Sequence, residues 1–298
     1  MIDLASALWN QRQELSKAKK RLMALHEAVN KPTDLNLGQW FQLYAFGLEF
    51  APDMILDLGR GYGNSTCVFA EVANRVGNMK VVSIGYDAEQ AWKTQTVQRL
   101  RGIVTSEWFD PLEILHQDIL RTDFGDIFSR GKRVFLFWDA HGLELAGHML
   151  AEVFPHLAAK DHVIAVHDIT DARYHNVSPT YIREDGLPQT WMDHLVSPFE
   201  ELTPLYDFLS RNQIAIDTPN NSLQKLLQDN EKRIELETCL ERDFSSPTPL
   251  ETGHWIYFEL KNRNNPKQEI VFPRYSPGKV ERVKHIVRSW TMTDSIQL

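Results

Sequence analysis

Asp57-Leu58-Gly59-Arg60-Gly61-Tyr62-Gly63-Asn64-Ser65 is the stretch on which the fold turns. It follows the apolar run Met54-Ile55-Leu56, which has the length of a buried strand, and it leads into Ser65 to Ala73, which has a helical pattern. Glycines between a strand and a helix let the backbone turn sharply and approach a ligand closely. An acid, Asp57, precedes the first glycine, and Asn64 or Ser65 is a suitable N-cap for the helix. A nicotinamide site would read G-x-G-x-x-G. The pattern here is D-x-G-x-G-x-G.

Strands and helices alternate on either side of this turn. Predicted strands are Lys80 to Ile84, Leu112 to Leu115, Arg133 to Trp138 and His162 to Val166, with helices over Ala88 to Arg101 and Leu143 to Leu157. Short apolar runs separated by helical patterns specify an α/β fold with a parallel sheet covered on both faces. Upstream, Leu4, Leu8, Leu15, Leu22, Leu25 and Val29 recur at helical spacing, and a second helix should run from Gly38 and end before Pro52. Downstream, 171–198 is rich in Tyr, Pro, His and Trp without clear period and reads as a lid or loop. A helix over Phe199 to Ser210, a strand at Gln213 to Ile216, an inserted helix over 222–240 and a strand at Trp255 to Leu260 follow. The expected organisation is a helical lead-in over 1–50, a domain over 51–262, and an extension over 263–298 that packs on the domain or on a partner subunit of a homo-oligomer.

The 298 residues carry a net charge of -8, with 43% hydrophobic and 24% charged residues. That acidic balance argues against a nucleic-acid-binding surface, which needs clustered Lys and Arg. Two cysteines, Cys67 and Cys239, are too few for a disulfide framework and fit a reduced, cytoplasmic setting. No secretory leader and no membrane span are expected.

The D-x-G-x-G-x-G pattern, with the strands that follow it, resembles motif I of the class I S-adenosylmethionine-dependent methyltransferases. The resemblance runs from about Gly38 to Asp171 and loosely to Leu260. It implies a Rossmann-like seven-stranded, mostly parallel sheet, with the last strand antiparallel beside the sixth and helices on both faces. It implies that Asp57, Gly59, Gly61 and Gly63, with Asn64 and Ser65, line the methionine part of the cofactor. It also implies that Asp118, in His116-Gln117-Asp118, accepts the adenine amino group. The family ends its second strand with an acid that binds the ribose hydroxyls. Here Gly85 holds that place, and Asp87 substitutes if the turn is longer, or else merely caps the next helix. Tyr86 is a candidate to stack on adenine. Arg60 is unusual inside the loop, and an acid nearby or the methionine carboxylate are its candidate partners.

Trp138-Asp139-Ala140-His141-Gly142 ends strand four and Val166-His167-Asp168 ends strand five. Ligands of open parallel sheets bind beyond the carboxyl ends of the strands, so these acids and histidines are expected to converge. The arrangement resembles the O-methyltransferases that include catechol-type, macrolide-sugar and cephalosporin-hydroxylase-like proteins. That resemblance implies a divalent metal, Mg²⁺ or Mn²⁺, on Asp139 and Asp168, with His167 as a further ligand, and His141 as the base. Imidazole in the ligand set suits Mn, Fe or Zn better than Mg²⁺. The implied reaction is O-methylation of a small hydroxylated molecule such as a phenol, a sugar or a natural product. Tyr174, His175, Tyr181, Trp191, Met192 and His194 would wall the acceptor, or simply pack on the core. Two alternatives stand beside it. A non-catalytic binding protein of the same fold is favoured by Gly85 and Arg60. A metal-dependent hydrolase or hydroxylase would be built from Asp139, His141, His167 and Asp168.

Overall fold

Successive side chains of β1, Met54–Leu58, leave the sheet on opposite faces: Ile55 joins one apolar cluster, and Met54, Leu56 and Leu58 join another. The same parity runs through β4, Arg133–Trp138, where Phe135 and Phe137 face one way and Val134, Leu136 and Trp138 the other. Buried residues on both faces make each strand a nearly continuous apolar run, as a parallel sheet requires. The computed structural model describes residues 2–32, 34–86, 91–168, 202–241 and 255–274.

The other strands are β2, Lys80–Gly85; β3, Leu112–His116; β5, Asp161–His167; β6, Ile214–Asp217; and β7, Trp255–Asn262. The sheet order is β3-β2-β1-β4-β5-β7-β6, with β7 antiparallel to both β5 and β6. This is the seven-stranded Rossmann-like arrangement expected above, with the last strand inserted beside the sixth. The order reverses between β1 and β4, so a crevice opens at the carboxyl ends of those two strands.

The first cluster joins the sheet to α1, Leu4–Asn10, α2, Arg12–Val29, α3, Leu37–Phe50, and α4, Asn64–Val76. The long first helix expected from leucine spacing is broken at Gln11, which caps α1. The lead-in is thus part of the core: Leu4, Leu15, Leu22 and Phe46 belong to the same cluster as Phe135 and Tyr257. A π turn, Trp92–Thr96, runs into α5, Val97–Leu100. On the other face lie α6, Phe124–Ser129, α7, Leu143–His148, a second π turn, Met149–Val153, α8, Phe154–Ala158, and α9, Leu202–Arg211.

The helix expected over 222–240 is two helices, α10, Pro219–Gln228, and α11, Asn230–Leu240. Asp229 separates them because its side chain accepts from Lys232 N and caps the second. Past β7, the chain returns to α9: Asn212 donates to Val271 O at 3.1 Å and accepts from Val271 N at 2.7 Å. Asp87, the 171–198 segment and the extension beyond 274 lie outside the described residues. Among the described residues, no helix is long and apolar enough to cross a membrane.

Candidate functional site

The glycine loop is built on a buried carboxylate. Asp57 is fully buried, and it accepts from Ser65 Oγ at 2.7 Å, Thr66 Oγ1 at 2.6 Å and Ser83 Oγ at 2.8 Å. Burial raises its pKa, against these hydroxyl donors and the nearby Arg60 charge, which lower it. The resemblance assigned Asp57 to the cofactor. In the structure both of its oxygens face inward, bracing β1 to α4 and β2 beneath the loop. The helix cap also differs from expectation: Gly63 occupies the N-cap, and Asn64 is the first helical residue.

The three loop glycines have positive φ, at 95°, 51° and 95° for Gly59, Gly61 and Gly63, where L side chains are strained. Their surroundings differ. A Cβ on Gly59 would stand 1.9 Å from Asp139 O, and one on Gly63 would stand 2.2 Å from the Trp92 ring. At Gly61 the nearest such atom is Gly59 O at 3.8 Å. Gly59 and Gly63 are therefore needed for contacts within the protein, whereas among the described residues Gly61 has room beside it for a bound molecule.

The ends of β4 and β5 bring the expected acids and histidines together. The ligand atoms of Asp139, His141 and Asp168 all lie within 4.8 Å of one another. His141 Nε2 is 3.3 Å from Asp168 Oδ2. Asp168 has φ 54°, a left-handed conformation that costs most non-glycine residues energy. His167 stands behind this group. It is buried, with Nδ1 3.0 Å from Asp139 Oδ1 and 3.3 Å from Asp168 Oδ1. Its Nε2 is 3.3 Å from Gln39 Nε2. Both ring nitrogens face protein groups, so the ring buttresses the carboxylates where the resemblance made it a ligand.

Gln39 comes from α3. Its Oε1 accepts from Asn36 N at 2.9 Å, while Asn36 Oδ1 accepts from Gln39 N at 2.9 Å, forming a capping box. That fixes the amide, so its nitrogen is the atom turned to His167, and it can donate only to a lone pair on Nε2. Burial also opposes a charge on His167, but the carboxylates of Asp139, Asp168 and Asp34 outweigh it and raise the ring to about 9.

Asp34 is the third acid. Its Oδ2 accepts from Asn64 Nδ2 at 2.6 Å, and Asn64 also donates to Lys31 O at 3.1 Å. Burial, then the Asp139 charge, push its carboxyl up to about 6, against the lowering effect of His167 and of the Asn64 hydrogen bond. Asn64 and Ser65, assigned to the cofactor above, are buried at the start of α4 and engaged in this way with Asp34 and Asp57. Asp34 and Gln39 carried no strand-end signal. The N-x-x-Q box at Asn36 and Gln39 was legible as a helix start, but only packing brings it to β5.

The ends of β2 and β3 have a different character. Arg60 is buried, and its Nη1 donates to Ser83 O at 2.8 Å and lies 3.4 Å from Leu115 O. Its Nη2 lies 3.3 Å from Gly85 O. Its recorded partners include strand-end carbonyls where an acid or a ligand carboxylate was expected. Tyr86 stacks on His116, with ring centroids 5.2 Å apart and planes within 7°. Asp118 accepts from Leu120 N at 3.0 Å and caps a short turn just after β3.

No protein-family model matches the chain, and no curated protein matches it. Among solved structures it is similar to the O-methyltransferase TomG from Streptomyces achromogenes, involved in tomaymycin synthesis and solved with SAM. The identity is 12% and the TM-score 0.44, over 79% of this chain and 88% of that one. It is also similar to an O-methyltransferase from Bacillus cereus in complex with SAH, at 13% identity and TM-score 0.45, over 82% and 90%. A third is the SAH-bound methyltransferase PaMTH1 from Podospora anserina, at 13% identity and TM-score 0.44, over 65% and 82%. At such values the chemistry of this chain has to be argued from its own residues.

Proposed function

We propose that this chain is an S-adenosylmethionine-dependent O-methyltransferase acting on a small hydroxylated molecule. The observation that carries the reading is the group Asp139, His141 and Asp168, gathered within 4.8 Å at the carboxyl edge of the sheet. It stands beside a glycine loop whose middle residue, Gly61, has room beside it among the described residues. The glycine loop follows β1, and Asp139 and His141 follow β4, the two strands between which the order reverses and where α/β sheets receive their ligands; Asp168 joins them from β5.

Methyl transfer from a sulfonium to oxygen forms a C–O bond, breaks a C–S bond and needs the acceptor hydroxyl deprotonated. A free phenol ionises near pH ~10, so a base is required at neutral pH. His141 is that base: it takes the hydroxyl proton, and Asp168, 3.3 Å from its Nε2, stabilises the imidazolium that results. Asp139 and Asp168 supply negative charge at this edge of the sheet, which would favour a cationic sulfonium bound there. Behind them, His167 and Gln39 fix where those carboxylates point. The carboxylate donors suit a divalent ion such as Mg²⁺ or Mn²⁺. Asp139 and Asp168 would hold such an ion, which when bound would lower the hydroxyl pKa and leave His141 to take the proton.

A second reading, a methyltransferase-fold protein that binds without turnover, is favoured by the Arg60 side chain across the ends of β2 and β3. Calorimetric titration with S-adenosylhomocysteine, with and without Mn²⁺, tests the first requirement of the enzyme. Micromolar to low-millimolar binding is expected, and a flat titration at millimolar ligand removes the proposal. Transfer of a radiolabelled methyl group to a panel of catechols, phenols and sugars then separates turnover from binding alone.

A further inference from the structure

Asn64 opens α4 at the end of the glycine loop, and its buried amide is engaged at both of its polar atoms. Trp40 Nε1 can only donate, and it lies 3.3 Å from Asn64 Oδ1. That fixes the amide, so Nδ2 is the atom that donates to Lys31 O at 3.1 Å and to Asp34 Oδ2 at 2.6 Å. These two bonds use both hydrogens of the nitrogen. An acid at this position would face the Lys31 carbonyl and the Asp34 carboxylate together, which is why an amide is needed. Lys31 also stands over the loop itself, with Nζ 4.1 Å from the centroid of the Tyr62 ring. The chain between α2 and α3 therefore holds the end of the loop at Tyr62 and again at Asn64.

That stretch is itself braced from both helices. Leu35 is buried, and its carbonyl oxygen is 3.0 Å from His26 Nε2 on α2. The His26 ring meets the Trp40 ring edge-on, with centroids 5.2 Å apart. Asn36 and Gln39 close the capping box of α3, and Gln39 Nε2 reaches His167 Nε2 at 3.3 Å. Asp34, which holds the start of α4, and Gln39, which stands behind the carboxylates at the ends of β4 and β5, thus belong to one short braced segment. Burial, and then the charge of Asp139, raise the Asp34 carboxyl, so this acid also stands close to that edge.

Resting on the methyltransferase reading, we propose that Asp34 is a positioning residue, which acts through Asn64 to hold the glycine loop at a set spacing from Asp139, His141 and Asp168. Its part is to accept a hydrogen bond from Asn64, and it needs no contact with the cofactor. In-line transfer requires donor and acceptor atoms at a fixed separation, so a loop free to drift from the acidic edge would lose both affinity and rate.

Calorimetric titration of the wild type, Asp34→Asn and Asp34→Ala with S-adenosylhomocysteine tests this, each protein being checked for folding by circular dichroism. Asparagine keeps an oxygen for Asn64 without the charge, and it should bind within about threefold of the wild type. Alanine leaves one Asn64 hydrogen unpaired and should weaken binding by about tenfold. Asn64→Ala should lose a similar amount, and the double variant Asp34→Ala/Asn64→Ala little more than either, since the two residues act as one unit. If Asp34→Asn binds as weakly as Asp34→Ala, the charge acts on the ligand directly and the positioning role is overturned. Losses that add in the double variant would overturn it too, as would a folded Asp34→Ala protein that binds like the wild type. Each of these leaves the methyltransferase reading standing on the wild-type titration. Asp34→Asn is nearly isosteric, so a tenfold loss in that variant overturns the role even should the alanine variant fail to fold. If the wild type itself does not bind, the reading and the proposal fall together.

Discussion

One edge of one sheet carries two unlike surfaces. At the ends of β4 and β5, carboxylates and an imidazole stand together, partly exposed, with a histidine and a glutamine behind them. At the ends of β2 and β3, a buried arginine donates to strand-end carbonyls and Tyr86 stacks on His116. The strand ends are equivalent in backbone terms, so side-chain chemistry makes the difference. Acids gathered within a few ångströms repel one another, and the protein accepts that cost where a cation or a proton is to be handled. An arginine laid over carbonyls satisfies the backbone and leaves less for a ligand to claim.

The largest effect expected at the acidic end is on turnover. His141→Ala should lower methyl transfer to an accepted hydroxyl substrate by about two to four orders of magnitude, with the S-adenosylhomocysteine affinity little changed. Full activity in that variant would show that His141 is not the base at the ends of β4 and β5.

The loop between the two ends divides in the same way. Gly59→Ala drives a Cβ to 1.9 Å from Asp139 O at a φ of 95°. A loss of roughly 2–5 kcal/mol is expected from strain and overpacking, read as a shift of the urea midpoint. Gly61→Ala meets no atom of the described residues closer than 3.8 Å, so about 1–2 kcal/mol of backbone strain is expected, together with a marked loss of S-adenosylhomocysteine binding. Equal destabilisation by both substitutions would refute this division of labour among the glycines.

Beneath the loop, Asp57→Asn should cost about 1–3 kcal/mol, because an amide cannot accept on both sides from the hydroxyls of Ser65, Thr66 and Ser83. A melting temperature equal to the wild type would show that the bracing carboxylate is dispensable.

The smallest effect belongs to the far end of β5. His162 Nε2 accepts from Leu260 N at 2.8 Å, and its Nδ1 donates to Lys160 O at 2.9 Å, so the ring is held neutral. Burial lowers its pKa, against a raising effect from Lys160 O. A histidine depressed in the folded state contributes stability above its unfolded pKa of about 6.5 and loses it as pH falls below that value. His162 therefore subtracts from the urea midpoint as pH falls below about 6.5, and His162→Gln should remove that part of the pH dependence relative to the wild type. A midpoint unaffected by the substitution across this range would count against the neutral assignment. His167, five residues along the same strand, meets the opposite environment among carboxylates.

The alternation of apolar runs and helical patterns was enough to fix the α/β class, because burying both faces of a parallel strand demands those runs wherever they occur. The place of β1 was equally legible, since Asp57 to Gly63 needs positive φ at each glycine and little else tolerates it. Strand-end acids and histidines announced themselves for the same reason: polar residues at the end of an apolar run have to emerge at the edge. Sequence did not tell which side chains face a ligand and which face the protein. Asp57 and Asn64 sit in the motif yet spend their hydrogen bonds inward, while Asp34 and Gln39, far upstream, arrive at the site because α3 docks its amino end on β5. Breaks at Gln11 and Asp229 were hidden for a related reason, since leucine spacing continues across them and only the local caps end the helices. Periodicity reports the direction of burial along one element, whereas hydrogen-bond partners between elements depend on docking, and that was decided by the tertiary structure alone.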